Sequence, residues 1–476
     1  MMNIYKKILL LFLALYSYNV AFSQENDSLM FYLGVAAKNN PAVLQKFSEY
    51  EAALQKVPQV GGLPDPELSV GIFLSQMELI GGNQLADIRL MQMFPWFGTL
   101  KAAKDEMSLM AKAKLELFRD AKLQVFYDVQ QTWFELYKVQ QAIEISEKNI
   151  EILKILERLS LVKFKAASLS GSNNSNSSSV MENNASQITS SGSAGMQSMG
   201  GSAGTNPTQT SRSMQSGAMN TSGGSGLTDL YRIQMEIGEL ENNTALLKNQ
   251  KNTIVARFNS FLNRSAQEIV KLPDTIKPNA LNMPLLAVAD SILIQNPMLV
   301  MLNYEKQSLE ARKEMVTLMG YPMIGLGINY SLINKNPMST SEMNGNDMIM
   351  PMVTVTLPVY RKKYKAMQTE AEKLKTAMVH EIQATSNSLK TEYYEAVQNH
   401  EDAQRRIALY IRQYQLANQS LKILIKSFSA SGAGLTDLLI IQQQTLNYEL
   451  KQVEAVADFN TAIAKLQRLM AYLQIQ

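Results

Sequence analysis

The feature that most constrains this chain is an internal repeat, because its second half contains the motifs of its first half in the same order. The segment NNPAVLQKFSEYEAAL, which begins at Asn39, resembles QNPMLVMLNYEKQSLEAR, which begins at Gln295. FPWF at Phe94 is matched by LPVY at Leu357, and GLTDL occurs once in each half. A self-similar chain of this kind indicates one supersecondary unit that is used twice.

The two copies differ at one place. Phe164 corresponds to Phe428, 264 residues later, whereas Leu227 corresponds to Leu435, only 208 residues later. The first copy therefore carries an insertion of about 56 residues, in a segment (169–225) that is mostly Ser, Gly and Asn. The second copy makes the same connection with SASGAG. The insertion thus elaborates a helix–helix turn and does not link two domains.

Long helices are predicted after each strand pair. Apolar residues recur in alternating steps of four and three from Val125 to Leu153 and from Ile407 to Phe428. This spacing is typical of helices that pack side by side with knobs in holes. Thr132, Ser146 and Asn418 interrupt the two seams, which favours a wide helical wall over a dry two-stranded coiled coil.

Four short segments alternate apolar and polar residues: PELSVGIFL, ADIRLMQMF, MIGLGINYSLI and PMVTVTL. Strands of this pattern suit a membrane barrel with apolar side chains outside, and they suit a half-exposed sheet equally well. A closed barrel needs about eight strands. A membrane barrel would therefore require several copies of the chain.

Composition excludes several kinds of chemistry. The chain has 476 residues, no cysteine and two histidines, which excludes disulfides, cysteine nucleophiles and Cys/His zinc sites. A net charge of +3 does not suggest nucleic acid. His380 lacks the second histidine of a zinc-protease helix, and His400 lies on the helical seam, where a packed side chain is expected. No catalytic residues and no cofactor are predicted.

The first residues have the pattern of a secretory signal peptide. Lys6 and Lys7 precede the apolar run ILLLFLALY, and Ala-Phe-Ser precedes Gln24. The run has about ten residues, whereas a membrane helix needs roughly 20. We expect residues 1–23 to be removed; a retained anchor is the alternative.

In both copies the order is helix, strand pair, Phe-Pro or Leu-Pro junction, long helix, GLTDL turn and returning helix. This order resembles the TolC-type outer-membrane factors of tripartite efflux pumps, from Asn39 to Met470 apart from the insertion. The most specific stretches are FPWFG and FSASGAGLTDLLIIQQQTLNYELKQVEAVADFNTAIAKLQRL. Among subfamilies the chain is similar to CusC-like and CzcC-like heavy-metal channels, although it lacks the lipidated cysteine of many members.

The resemblance implies a mainly α fold with a small β part, in the outer membrane of a Gram-negative bacterium. It implies a homotrimer in which each subunit gives four strands to a 12-stranded outer-membrane β-barrel, continuous with a periplasmic α-helical barrel. The implied partners are a periplasmic membrane-fusion adaptor, an inner-membrane RND-type pump and outer-membrane lipid, with no nucleic acid.

The expected divisions of the chain are a signal peptide (1–23), a first helix (24–63), a first β-hairpin (64–97), a first long helical hairpin with the insertion 169–225 (98–284), a second helix (285–320), a second β-hairpin (321–360) and a second long helical hairpin (361–476).

The GLTDL turns are the candidate functional residues that the resemblance implies. The periplasmic entrance would be lined by Thr228, Asp229, Thr436 and Asp437. The adaptor-docking turns would be Gly226, Leu227, Gly434 and Leu435. A ring of carboxylates favours cations, and helix capping is the alternative role for each aspartate. The basic latch residue that the family often has in this turn is absent from both copies.

The methionine content of the chain indicates a class of substrate. The chain has 28 methionines, and thioether sulfur suits Cu(I) and Ag(I). Five lie in the insertion, which has no core to fill: Met181, Met196, Met199, Met214 and Met219. They predict capture of soft-metal ions, with a passive loop as the alternative. The methionines near the strands are expected to fill space.

We therefore expect passive export of heavy-metal cations such as Cu(I) and Ag(I), without enzymatic activity. Export of drugs or organic solutes, or type I secretion, is the alternative within the same fold. A periplasmic coiled-coil adaptor or scaffold is the alternative of another class.

Overall fold

The computed structural model describes residues 29–79, 81–170, 225–279, 284–338, 340, 342–430 and 434–472. The expected signal peptide and the five methionines of the insertion lie outside the described residues. The described chain is mainly helical with one small sheet, which confirms the prediction of a mainly α fold with a small β part. Its elements are α1 (Leu29–Asn39), α2 (Pro41–Gly61), β1 (Glu67–Leu79), β2 (Gly82–Phe94), α3 (Thr99–Ser170), α4 (Ser225–Phe261), α5 (Leu285–Gln295), α6 (Pro297–Met319), β3 (Met323–Asn334), β4 (Met348–Thr356), α7 (Arg361–Ser429) and α8 (Leu435–Leu469).

The first helix of each copy differs from the prediction, because the structure divides it in two at an Asn-Pro pair. Proline has no N–H to continue the preceding helix and is favoured at the first position of the next one. The Asn40 side chain caps α2 by accepting from the backbone N–H groups of Ala42 (3.0 Å) and Val43 (3.3 Å). Asn296 caps α6 in the same way, accepting from the N–H of Met298 at 3.0 Å.

Both asparagines also hold the returning helix of their own copy. Asn40 Nδ2 donates to the carbonyl of Phe261 at 2.9 Å, at the end of α4. Asn296 Nδ2 donates to the carbonyl of Leu469 at 3.1 Å, at the end of α8. Both asparagines are buried, at 5% and 4% exposed. Each side chain therefore fixes the start of one helix against the end of another.

Replacing Asn40 by Ala is expected to lower the thermal midpoint of the purified protein by several degrees. The change removes a helix cap, worth about 1 kcal/mol, and leaves the partly buried carbonyl of Phe261 without its donor, which costs about 1 kcal/mol more. Asn39→Ala is the matched control, since Asn39 is adjacent and exposed. Thermal unfolding followed by circular dichroism measures both; equal midpoints for the two variants would show that the bonds of Asn40 contribute nothing.

The four strands form one antiparallel sheet in the order β1-β2-β3-β4. All strand–helix connections lie at one end of the sheet, where Met323 pairs with Thr356 and Phe94 pairs with Ile324. The hairpin turns lie at the other end. There Gly82 has φ +127°, and a Cβ would come within 2.5 Å of the carbonyl oxygen of Asn334, so the tight turn requires glycine.

One face of the sheet is apolar and exposed, as the alternation predicted. Val70 pairs with Ile88 and Leu90 pairs with Ile328, so apolar side chains form rows across the strands. The exposed apolar residues are Leu68, Val70, Ile72 and Leu74 of β1, Ile88 and Leu90 of β2, Ile324, Leu326, Ile328 and Leu332 of β3, and Ile349, Val353 and Val355 of β4. An apolar patch of this extent marks a surface that is covered in the functional state.

The opposite face is more polar and closely packed. Asn329 and Ser331 are buried there. The Met93 sulfur lies 2.6 Å, and the Met91 sulfur 3.6 Å, from the position that a Cβ on Gly325 would occupy. These two methionines fill the room above a glycine, as expected for adaptable apolar side chains.

The described residues divide into two compact units. The first contains the sheet together with helical residues up to Ile145, Leu246–Gln419 and those from Gln443 onward. One core cluster of this unit packs the α3 seam (Val125, Val129) against Tyr32 of α1 and Phe258 of α4. His400 lies 4.6 Å from Phe459, ring centre to ring centre, and burial lowers the pKa of its imidazole, as expected for a packed histidine.

The second unit consists of Ser146–Ala245 and Ser420–Gln442, the end of each helical hairpin. Its core contains Leu153, Leu156, Ile233 and Leu438, which are at most 2% exposed. Of the helices that the structure describes, none combines the length and apolarity of a membrane-spanning helix.

Candidate functional site

The two GLTDL segments lie in the second unit, at the beginning of α4 and α8. Leu435 is 3% exposed and packs in the core with Leu438, whereas its counterpart Leu227 is 43% exposed. The two predicted docking turns are therefore not equivalent. Leu435 has a packing role, and Leu227 is the one that is available on the surface of this chain. Gly226 lies within α4 and Gly434 immediately precedes α8.

The predicted entrance residues of the second copy, Thr436 and Asp437, are exposed. Asp437 lies in the first turn of α8, where the helix dipole favours a negative charge. Its carboxylate is thus placed both to stabilise the helix end and to face solvent. Helix capping and lining of an entrance, the two roles predicted from the sequence, are therefore compatible for Asp437.

Asp229, the predicted entrance residue of the first copy, is half-buried beside two cations. Burial raises the pKa of its carboxyl group, while the Arg232 guanidinium and the Lys163 ammonium oppose that rise. Because the pKa of Asp229 is higher in the folded state than in the unfolded state, its ionisation lowers the stability of the fold as the pH rises from the unfolded-state pKa to the folded-state pKa. Its negative charge is accordingly lost at a higher pH than that of an exposed aspartate.

Arg232 and Lys163 join the two helical hairpins. Arg232 Nη1 donates to Thr436 Oγ1 at 2.8 Å, linking α4 to α8. Lys163 Nζ donates to the backbone carbonyl of Phe428, and its ammonium lies 3.9 Å from the centre of the Phe428 ring, linking α3 to α7. Each link connects a residue of the first copy to a residue of the second.

Neither cation was among the residues predicted from the sequence. The GLTDL turn, where the resemblance places a basic residue, has none in either copy. The available signal was a difference between the copies: GLTDLYR in the first has Arg232 where GLTDLLI in the second has Ile440. Arg232 reaches Thr436 from the next turn of the helix, just beyond the GLTDL segment.

Other polar contacts within the second unit are of two kinds. Gln442 Nε2 donates to Asn149 Oδ1 at 3.0 Å in the buried interior. Lys154 pairs with Glu241 at 3.0 Å on the exposed side of α3 and α4. Among the described residues, no group of three or more His, Cys, Asp or Glu side chains could hold a metal ion. The five methionines of the predicted thioether site lie outside the described residues.

In sequence, no family model and no curated protein matches this chain. In fold it is similar to CmeC, an outer membrane channel of Campylobacter jejuni (TM-score 0.69, 13% identity, covering 94% of this chain and 86% of that one). It is also similar to the outer membrane protein VceC of Vibrio cholerae (TM-score 0.66, 13% identity, covering 93% of this chain and 96% of that one). A third similar structure is CusC, described in connection with transmembrane channel formation (TM-score 0.67, 12% identity, covering 94% of this chain and 92% of that one). The chain has the fold of outer-membrane channel proteins.

Proposed function

We propose that this chain, having that fold, is one subunit of a trimeric channel that conducts solutes passively across the outer membrane of a Gram-negative bacterium. The observation that carries the proposal is the four-stranded sheet with one exposed apolar face, which lipid would cover. In this proposal the chain performs no reaction. An inner-membrane pump of the RND type supplies the energy, and a periplasmic adaptor connects the two.

Two features support a trimer. Within the described sheet, β1 and β4 are edge strands, and edge strands invite pairing with another chain. Three copies joined edge to edge would give 12 strands, within the range of outer-membrane barrels. The long helix α7 also exposes large apolar side chains, Leu409 and Leu416 among them, which a neighbouring helix could cover. We expect heat-resistant trimers in detergent extracts of outer membranes; a soluble periplasmic monomer would contradict the proposal.

Entrance selectivity would come from Asp229 and Asp437, with Thr228 and Thr436 beside them. Three subunits would place six carboxylates near one opening, and such rings favour cations over anions. The exposed residue Leu227, with Gly226 and Gly434 at the starts of the two returning helices, forms the proposed adaptor-docking region, and the buried Leu435 supports it from within. This role rests on the position of these residues at the ends of both helical hairpins.

For the substrate we propose heavy-metal cations such as Cu(I) and Ag(I), with organic solutes as the second candidate. The support is the five thioether side chains of the insertion. The fold does not favour a CusC-like subtype, because CusC, CmeC and VceC match the chain with nearly equal TM-scores.

Deleting residues 170–224 is expected to lower the silver tolerance of the host severalfold and to leave the tolerance to organic toxicants unchanged. The deletion leaves a short connection, as in the second copy, so the helices should still fold. Growth at graded silver concentrations gives the readout. A variant with the five methionines changed to Leu, which keeps the loop length, is the control for loop removal; unchanged silver tolerance in both variants would reject metal capture by the insertion.

A further inference from the structure

A groove of about 1020 Å³ lies where the sheet joins helices α6 and α7. Its lining combines three cationic side chains, Arg361, Lys362 and Lys365, with the phenol rings of Tyr321 and Tyr364. No carboxylate is found among the described residues that line it. The groove is therefore positive, and part of its wall is aromatic.

The three cations lie at the start of α7, where a positive charge is unfavourable. The helix dipole presents partial positive charge at its N-terminal turn, and the first turn of α7 contains no acidic residue. Nearby carboxylates are engaged with other cations: Glu370 pairs with Arg312 at 3.4 Å and Glu372 with Lys313 at 2.6 Å. Within the part of the chain that the structure describes, the three groove cations form no ion pair with a carboxylate.

Aromatic side chains surround the same end of the sheet. Trp96 stacks on Tyr321 with ring centres 5.2 Å apart. Phe97 and Tyr360 are 82% and 81% exposed, although large aromatic residues are normally covered. Aromatic residues at the border of an apolar band are typical of the headgroup level of a membrane.

Exposed apolar residues extend from the groove toward the sheet. Leu357 and Val359 are 64% and 71% exposed and both line the groove. Val355, the next outward residue of β4, belongs to the exposed apolar face of the sheet. A ligand in the groove could therefore place a negative group on the cations and an apolar chain along the sheet.

We propose that this groove binds the phosphate headgroup of an anionic phospholipid, with its acyl chains along the apolar face of the sheet. The proposal rests on the proposed membrane position of the sheet and adds a specific lipid site to it. Arginine and lysine recognise phosphate by charge-assisted hydrogen bonds, and basic clusters beside a membrane segment attract anionic lipid. A free phosphate ion would use the cations only, which leaves the exposed Leu357 and Val359 without a role.

The test compares lipid retention by the full-length protein and two triple variants, purified in the same neutral detergent. Arg361→Gln/Lys362→Gln/Lys365→Gln removes the groove charges. Lys373→Gln/Lys390→Gln/Lys422→Gln removes three exposed charges elsewhere on the same helix. Native mass spectrometry with added phosphatidylglycerol is expected to show at least tenfold weaker binding for the groove variant and wild-type binding for the control.

Three results would overturn the lipid site. They are equal phosphatidylglycerol binding by the two variants, equal binding of phosphatidylglycerol and phosphatidylcholine by the wild type, and displacement of the lipid by inorganic phosphate at equal concentration. A fourth result would also contradict the lipid site: the groove variant no longer forms trimers, but the oligomers that remain still bind lipid. The groove would then be a contact with a neighbouring subunit. Trimers in the outer membrane together with any of these results would reject the lipid site alone; a wild-type protein absent from the membrane would reject the proposed function itself.

Discussion

Val70→Arg is expected to remove the protein from the outer membrane almost completely. Val70 is 59% exposed on the apolar face of the sheet and pairs with Ile88, the central residue of β2. If that face contacts lipid, an arginine near the bilayer midplane costs about 2–4 kcal/mol per site, and a trimer would carry three. The outer-membrane fraction and its heat-resistant trimer, followed by immunoblot, measure the effect.

Ser69→Arg is the matched control for this substitution. Ser69 precedes Val70 on the same strand, is also exposed, and points to the opposite face. Its partner in β2 is Arg89, which is also exposed, and repulsion between two exposed cations costs at most about 1 kcal/mol, less than an arginine on the lipid side. We expect Ser69→Arg to leave most of the trimer intact. Equal loss for both variants, or no loss for either, would contradict the assignment of the apolar face to lipid.

The double variant Arg232→Ala/Lys163→Ala is expected to raise the open fraction of the channel by one to two orders of magnitude. The two side chains link the first copy to the second within the second unit. Hydrogen bonds from charged donors contribute about 1.5–3 kcal/mol when buried, and we take about 1 kcal/mol per subunit because Arg232 is exposed. Three subunits opening together would shift the equilibrium by about 3 kcal/mol, or roughly 100-fold.

Lys154→Ala is the control for the double variant. It removes a contact of similar length, to Glu241, but that contact joins α3 and α4 of the same hairpin. Open probability in single-channel recordings measures both variants. If Lys154→Ala opens the channel as much as the double variant, the links between the copies do not hold the entrance closed.

The sequence predicted the fold well because its main determinants are periodic or repeated. Strand alternation predicted the apolar face of the sheet, and the seam from Val125 to Leu153 predicted buried positions of α3. The divided first helices could have been predicted as well, since Asn40-Pro41 and Asn296-Pro297 combine a capping side chain with a residue that cannot continue a helix.

The contacts near the predicted entrance were harder to predict because they depend on tertiary placement. Arg232 corresponds to Ile440 in the second copy, and nothing in its neighbours indicates that it reaches Thr436. Leu227 and Leu435 have the same sequence context but different burial. The repeat therefore predicted the framework that the two copies share. The contacts that differ between the copies depend on residues that are not repeated, and these were not predicted.

Ion conductance of the purified mature protein in a planar lipid bilayer is the sharpest test of the proposed channel. We expect discrete, cation-selective conductance steps from a trimer, and reduced cation selectivity when Asp229 and Asp437 are both replaced by Asn. A well-folded protein that inserts into the bilayer yet gives no steps, or gives steps without selectivity for cations, would contradict it.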